Sequence, residues 1–278
     1  MPNHVIVSTL GWSKAPLEAA IAGIAALEFG QADLAVHEGW AHLNPSELAE
    51  GGAERVRREA ERISALIRQH EMKAVSACNV GLGTAEPAIQ ERRLDAVCQL
   101  ASLLGVLVIT IGAARRGTAI EDEAERLRRL VPIAGARGVQ LTVETHVNQV
   151  TETAEQAVRL CEAVPGLGLT LDASHFYAGQ QGGKDFSAVL PHVRHVHLRD
   201  AGDDWEHIQM PAGAGRVDFR AIVSGLHAVG YGGKFAIEYI DSIPIAAGDG
   251  EPGDVPGNII RMRDLFVSQE RAAGIVRT

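Results

Sequence analysis

Apolar residues gather in eight short runs along the chain: HVIVST from His4, ADLAV from Ala32, MKAVSAC from Met72, GVLVITIG from Gly105, GVQLTVE from Gly138, GLGLTLD from Gly166, VRHVHL from Val193 and KFAIEYI from Lys234. Several are apolar at consecutive rather than alternate positions, the pattern of a parallel strand covered on both faces. Between them lie helix-like stretches with charged faces, such as SELAEGGAERVRREAERISALIRQHE from Ser46 and EDEAERLRRLVPIAGAR from Glu121, each long enough for a crossover. Asn44 is placed to cap the first of these, Pro45 suits its opening turn, and Glu47 can close a capping box. Gly30, Gly105, Gly138 and Gly230 stand where helices should stop.

Strand starts recur at intervals of about 30 to 40 residues, the size of one βα unit, with no linker to interrupt the series. Eight such units predict an α/β fold, a single (β/α)8 TIM barrel spanning residues 1–278. An open doubly wound sheet would usually carry a glycine fingerprint after its first strand, and STLGWSKAP has none. A chain of 278 residues buries enough surface to fold without a disulfide or structural metal.

The composition narrows the partners. A net charge of -9 opposes binding to a polyphosphate backbone, so nucleic acid is not expected. No apolar run approaches the roughly 20 residues that span a bilayer, so no membrane association is expected either. MPNHVIVSTLGW lacks the layout of a secretory signal, which makes the cytoplasm the expected compartment. Cys78, Cys98 and Cys161 are odd in number and far apart, and read as reduced, buried small hydrophobes. A homodimer is compatible with such a barrel, although no residue specifies one.

Barrel enzymes carry their chemistry at the C-terminal ends of the strands. There the fifth run closes on Glu144, the sixth on Asp172, the seventh carries His197 and the eighth Glu238, each in apolar surroundings. Taken singly, any one of them reads as a structural residue. As a set converging on one mouth, three carboxylates repel one another and are costly to keep ionised, and Arg199 is the one cation in a matching position. One bound divalent metal ion is the simplest compensation, and three oxygens with one imidazole suit Mn, Co, Mg or Zn.

Five segments, VETH at 143–146, LDASH at 171–175, HVHLRD at 195–200, PAGAGRVDF at 211–219 and AIEY at 236–239, occur in an order and spacing that resembles the xylose isomerase-like TIM barrels. That family includes sugar isomerases and epimerases, inosose dehydratases and endonuclease IV, and the resemblance spans the whole chain. It implies the same four metal ligands, Glu144, Asp172, His197 and Glu238. It further implies that His146 and His175 contact substrate hydroxyls or a metal-bound water, and that Arg199 binds an oxygen or phosphate group of the substrate. The activity it implies is isomerisation or epimerisation of a small sugar, keto-sugar or polyol-derived substrate through an enediolate, with Glu144 and Glu238 as acid and base. Dehydration of a keto-polyol, as in inosose dehydratases, is the alternative; a catalytically inactive sugar-binding barrel is the alternative of another class.

Two departures bear on this. The trinuclear zinc site of endonuclease IV draws histidines from strands three and four, where this chain has none, which argues against DNA cleavage. Ketohexose epimerases of the family carry an acid six residues after the strand-five Glu and an Arg six residues after the strand-seven His; Val150 and Asp203 stand there. Trp12, His37, Trp40, His42, Asn79, Trp205 and His207 lie at or just after strand ends, and His37 and Trp40 are the further substrate-binding candidates among them. GQQGGKD fails as a Walker A loop, Ser174 is too close to Asp172 and His175 for a serine relay, and PAGAGRVDF reads as a barrel loop whose Asp218 caps the next helix.

Overall fold

A computed structural model describes residues 3–179, 184–246 and 253–275. Eight parallel strands follow one another around a closed barrel in chain order: β1 (Val5–Ser8), β2 (Gln31–His37), β3 (Ala74–Gly81), β4 (Val108–Ile111), β5 (Gln140–Glu144), β6 (Gly168–Asp172), β7 (Val193–Leu198) and β8 (Phe235–Ile237). Each coincides with one of the eight apolar runs, β2 and β3 extending past theirs to His37 and Gly81. Around them lie α1 (Leu17–Ala26), α2 (Pro45–Gln69), α3 (Pro87–Leu104), α4 (Ile120–Ala136), α5 (Ala154–Ala163), α6 (Ser174–Ala178), α7 (Phe219–Ala228) and α8 (Val255–Ala272). The sixth crossover is the exception, with a five-residue α6 followed by a 3-10 turn at Ser187–His192. No helix among the described residues is long and apolar enough to cross a membrane.

The strands look continuously apolar because their inward positions are small or apolar near the floor and polar only higher up. Facing the helices, Val7, Leu34, Val36, Cys78, Ile109, Leu141, Leu169, Val196 and Ile237 belong to one large core. The alternate residues point into the barrel. Ile6, Ala77, Val108 and Ala236 form a small apolar plug. Above it Thr110, Thr142 and Thr170 are hydrogen-bonded to one another through their hydroxyls, the Thr170 Oγ1 lying 2.7 Å from that of Thr110 and 2.8 Å from that of Thr142. The three cysteines are free and buried.

Two helix-end assignments are corrected. Asn44 does not cap α2: its Oδ1 accepts from Gly39 N and its Nδ2 donates to Glu47, so the capping box does not form. The Glu38 carboxylate takes the role, accepting from Ser46 N at 3.0 Å and Ser46 Oγ at 2.6 Å. Nor does Gly30 end α1; Glu28 adopts the left-handed conformation there, at φ 64°. Gly105, Gly138 and Gly230 have positive φ just after their helices, as expected. Asp218 does cap α7, accepting from Ala221 N at 2.9 Å. The PAGAG loop before it is gathered onto the buried Asp200, whose carboxylate accepts from Gly213, Gly215 and Val217 N. A Cβ on Gly215 would lie 2.1 Å from Asp200 Oδ1, so only glycine fits.

Candidate active site

β5 and β6 end on the inward Glu144 and Asp172, His197 is the next-to-last residue of β7, and Glu238 follows directly on β8. Their register brings Asp172 beside His197 and His197 beside Ala236. One ligand atom from each of Glu144, Asp172, His197 and Glu238 lies within 4.8 Å of the others. His197 Nδ1 is 2.7 Å from Glu144 Oε1 and 3.5 Å from Glu238 Oε1. The four side chains named from the strand ends therefore share one space small enough for a coordination sphere.

Each member is held by neighbours. Asp172, wholly buried, accepts at Oδ1 from Ser174 N at 2.9 Å and Ser174 Oγ at 2.6 Å. Its Oδ2 accepts from Arg199 Nη2 at 2.7 Å. The same Arg199 nitrogen lies 2.9 Å from His175 Nε2, so Arg199 is tied to the protein on two sides. Glu238 Oε1 accepts from Asn79 Nδ2 at 2.9 Å, and Asn79 Oδ1 in turn lies 3.2 Å from His37 Nε2. Asn79 reaches across the barrel from β3, a link that no local spacing in the sequence announces. The Ser174 hydroxyl is engaged by Asp172 and Arg199.

The electrostatics show what the cluster lacks. Three carboxylates face one guanidinium, leaving two negative charges unmatched, the charge of one divalent ion. Burial lifts the Glu238 carboxyl, and the charge on Glu144 adds to the rise. Burial also works against ionised Glu144, but the His197 imidazolium outweighs it and holds that carboxyl well below the usual range. His197 resists losing its proton despite burial, because Glu238 and Glu144 surround it. A proton on His197 thus stands where a cation is wanted. Three carboxylate oxygens with one imidazole nitrogen fit a divalent ion of the magnesium, manganese, cobalt or zinc kind.

A cavity of about 290 Å³ opens over this cluster. Leu10, Trp40, Ile240, Ile243 and Trp205 give it apolar walls; His37, Asn79, Gln149, His146, His175 and Arg199 give it polar points. His146 and His175 pack with ring centroids 3.9 Å apart and planes tilted by 34°, and Trp205 lies over His175 at 6.5 Å. Burial, with His146 and Arg199 nearby, keeps His175 neutral. Trp40 meets His37 edge to face at 5.0 Å. Trp12, His42 and His207 do not line the cavity: Trp12 packs on the core beside Gly23, His42 bonds to Thr9 O, and His207 is exposed beside Asp204. Residues 180–183 of GQQGGKD lie outside the described residues. Sequence reasoning passed over Asp33 and gave no role to His195, which sit wholly buried beneath the cluster.

No curated protein matches this sequence. Solved structures do match its fold. The D-allulose 3-epimerase of Methylomonas sp. aligns with TM-score 0.70 at 16% identity over 96% of this chain and 97% of that one. A xylose isomerase-like TIM barrel protein from Mycobacterium smegmatis, in complex with magnesium, gives 0.72 at 17% over 96% and 97%. The probable 3-DHS dehydratase from Bacillus anthracis gives 0.66 at 15% over 94% and 98%. At such identities the likeness is one of fold. A sequence-family model, described as xylose isomerase-like TIM barrel, matches residues 18–257, and by that match the chain belongs to the xylose isomerase-like TIM barrel family.

Proposed function

We propose that this protein is a divalent-metal-dependent isomerase or epimerase of a small sugar or keto-sugar. The observation that carries the reading is the convergence of Glu144, Asp172, His197 and Glu238 within 4.8 Å at the floor of an open cavity. These four would hold the ion. When bound, a divalent ion polarises a carbonyl and its neighbouring hydroxyl and offsets the negative charge that develops as a proton leaves the adjacent carbon.

The chain's own residues do the rest. Glu144 and Glu238 are the two carboxylates that both line the cavity, one to take the proton from the carbon beside the carbonyl and the other to return it. Asn79 fixes Glu238 by donating to one oxygen and leaving the other for the substrate side. The His146 and His175 rings line the cavity where sugar hydroxyls would sit, and Arg199 offers a guanidinium edge to a substrate oxygen. Trp40, with His37 behind it, forms an apolar wall for the C–H face of a sugar.

Dehydration of a keto-polyol is the second reading, because it begins with the same proton removal. One observation favours it. The grip of the ketohexose epimerases is missing, since Val150 is buried in the core and Asp203 is exposed and paired with Lys184 and Arg216. Both readings predict that the Mn²⁺- or Co²⁺-loaded protein exchanges a substrate proton with solvent. Incubating it in D2O with a panel of ketohexoses, ketopentoses and keto-inositols, followed by NMR, should show deuterium beside the carbonyl of at least one. Epimerisation keeps the mass otherwise unchanged and dehydration removes water. Binding of panel members with no exchange in any of them would leave a sugar-binding barrel without turnover.

A further inference from the structure

We infer that Asp33 is a positioning residue for the metal centre, fixing through His197 which imidazole nitrogen faces the ion; the inference rests on Glu144, Asp172, His197 and Glu238 being the ligands. Asp33 projects from β2 into the barrel and is wholly buried. Its Oδ2 lies 2.9 Å from His195 Nε2, within hydrogen-bond geometry, and 3.4 Å from His197 Nε2. His197 Nε2 makes no hydrogen bond to any described residue. The other nitrogen, Nδ1, is the one turned to Glu144 and Glu238.

An imidazole ligates through one lone pair and must place its second nitrogen, carrying the proton, against an acceptor. Asp33 is the anion on that second side. A buried carboxylate survives only where donors face it, and the nitrogens of His195 and His197 are those that do. The nearby threonine hydroxyls are engaged with one another and with Ile109 O, not with Asp33.

The strand ladders support a built arrangement. The β2–β3 register slips between Ala32 and Asp33, leaving Ser76 as the extra residue. The β6–β7 register slips beside His195, leaving Arg194 extra. A bulge of this kind re-aims the inward side chains next to it, and here two of them bracket the Asp33–His195 contact.

Asp33, His195 and His197 also offer three ligand atoms within 4.8 Å of one another, which raises a second ion as the rival explanation. All three are buried, and neither Asp33 nor His195 lines the mouth cavity. One ion per chain is expected.

The test is titration of the metal-stripped, full-length protein with Mn²⁺ and Co²⁺, read by calorimetry and by the visible absorption of bound Co²⁺. Wild type should take up one equivalent. Asp33→Asn should still bind one, about 10- to 100-fold more weakly, with an altered Co²⁺ spectrum. His195→Leu keeps the carboxylate and removes its firmer donor; it carries the test where a charge change at position 33 unsettles the fold, and should weaken binding several-fold. Unchanged affinity and spectrum in both Asp33→Asn and His195→Leu overturn the inference while leaving the four-ligand site standing. Two equivalents in wild type, one of them lost in Asp33→Asn, overturn it by making Asp33 a ligand. No uptake by wild type removes the metal site itself and the inference with it.

Discussion

The two halves of the barrel divide the labour unequally. β5 to β8 deliver Glu144, Asp172, His197, Arg199 and Glu238, all but one of the charged groups in and beneath the mouth. β1 to β4 deliver Leu10, Asn79 and His37, with glycines at 81 and 112 that leave the space open. The one charge from that half, Asp33, is buried below the cavity against two histidines. One half therefore supplies charge that needs a cation, and the other supplies the neutral wall and the side chains that hold this charge in place. Substitutions in the second half should abolish function, whereas those in the first should tune it.

The largest effect is expected at Glu238. Glu238→Gln preserves shape and the Asn79 contact but removes the proton acceptor, and should lower turnover by about 10²- to 10⁴-fold with an unchanged circular dichroism spectrum. Turnover equal to wild type would take Glu238 out of the mechanism. Next comes Asp172→Asn, which takes a ligand from the ion and also strips a buried Arg199 of its charge partner. Breaking a buried pair by removing one partner costs about 3 to 5 kcal/mol, so this variant should lose metal affinity and also melt at lower temperature without metal. A loss of affinity with an unchanged melting temperature would show that Arg199 is not balanced by Asp172 alone.

A smaller effect is expected in the first half. Asn79→Ala removes the donor to Glu238, and a hydrogen bond to a charged group contributes about 1.5 to 3 kcal/mol, roughly 10- to 100-fold if the bond is fully expressed in the transition state. The drop should appear in kcat and, because Glu238 is also a proposed ligand, to a smaller extent in metal affinity. If Asn79→Ala instead matched Glu238→Gln in severity, the division between the halves would break down.

What the sequence made legible follows the same division. All eight strands were readable because their helix-facing residues are uniformly apolar and their lower inward residues, such as Ile6, Ala77 and Ala236, are apolar too. Glu144, Asp172, His197 and Glu238 stood out as polar residues closing apolar runs. Asp33 breaks such a run in the same way but in mid-strand, below the strand ends where barrel chemistry sits, and its partner His195 is 162 positions away. Asn79 is neutral, and its role depends on Glu238, 159 positions distant. Contacts of this range follow from closure of the barrel, not from spacing along the chain. The cap of α2 was misread for a local reason: Glu38, in the preceding loop, competes for the helix start better than Asn44 does.

The mildest prediction concerns Trp40, at the rim of the first half. It is 46% exposed and touches His37 edge to face at 5.0 Å, so it is neither a core residue nor tied to the charged cluster. Aromatic contacts of this kind contribute about 0.5 to 1.5 kcal/mol, which sets the scale for Trp40→Ala: a rise in KM of roughly 2- to 12-fold. Because Trp40 touches neither Glu144 nor Glu238, kcat and metal affinity should hold. The opposite split, kcat falling at constant KM, would mean that Trp40 acts through His37 and Asn79 on Glu238, and the neutral half would then take part in the proton transfer rather than only shaping the wall around it.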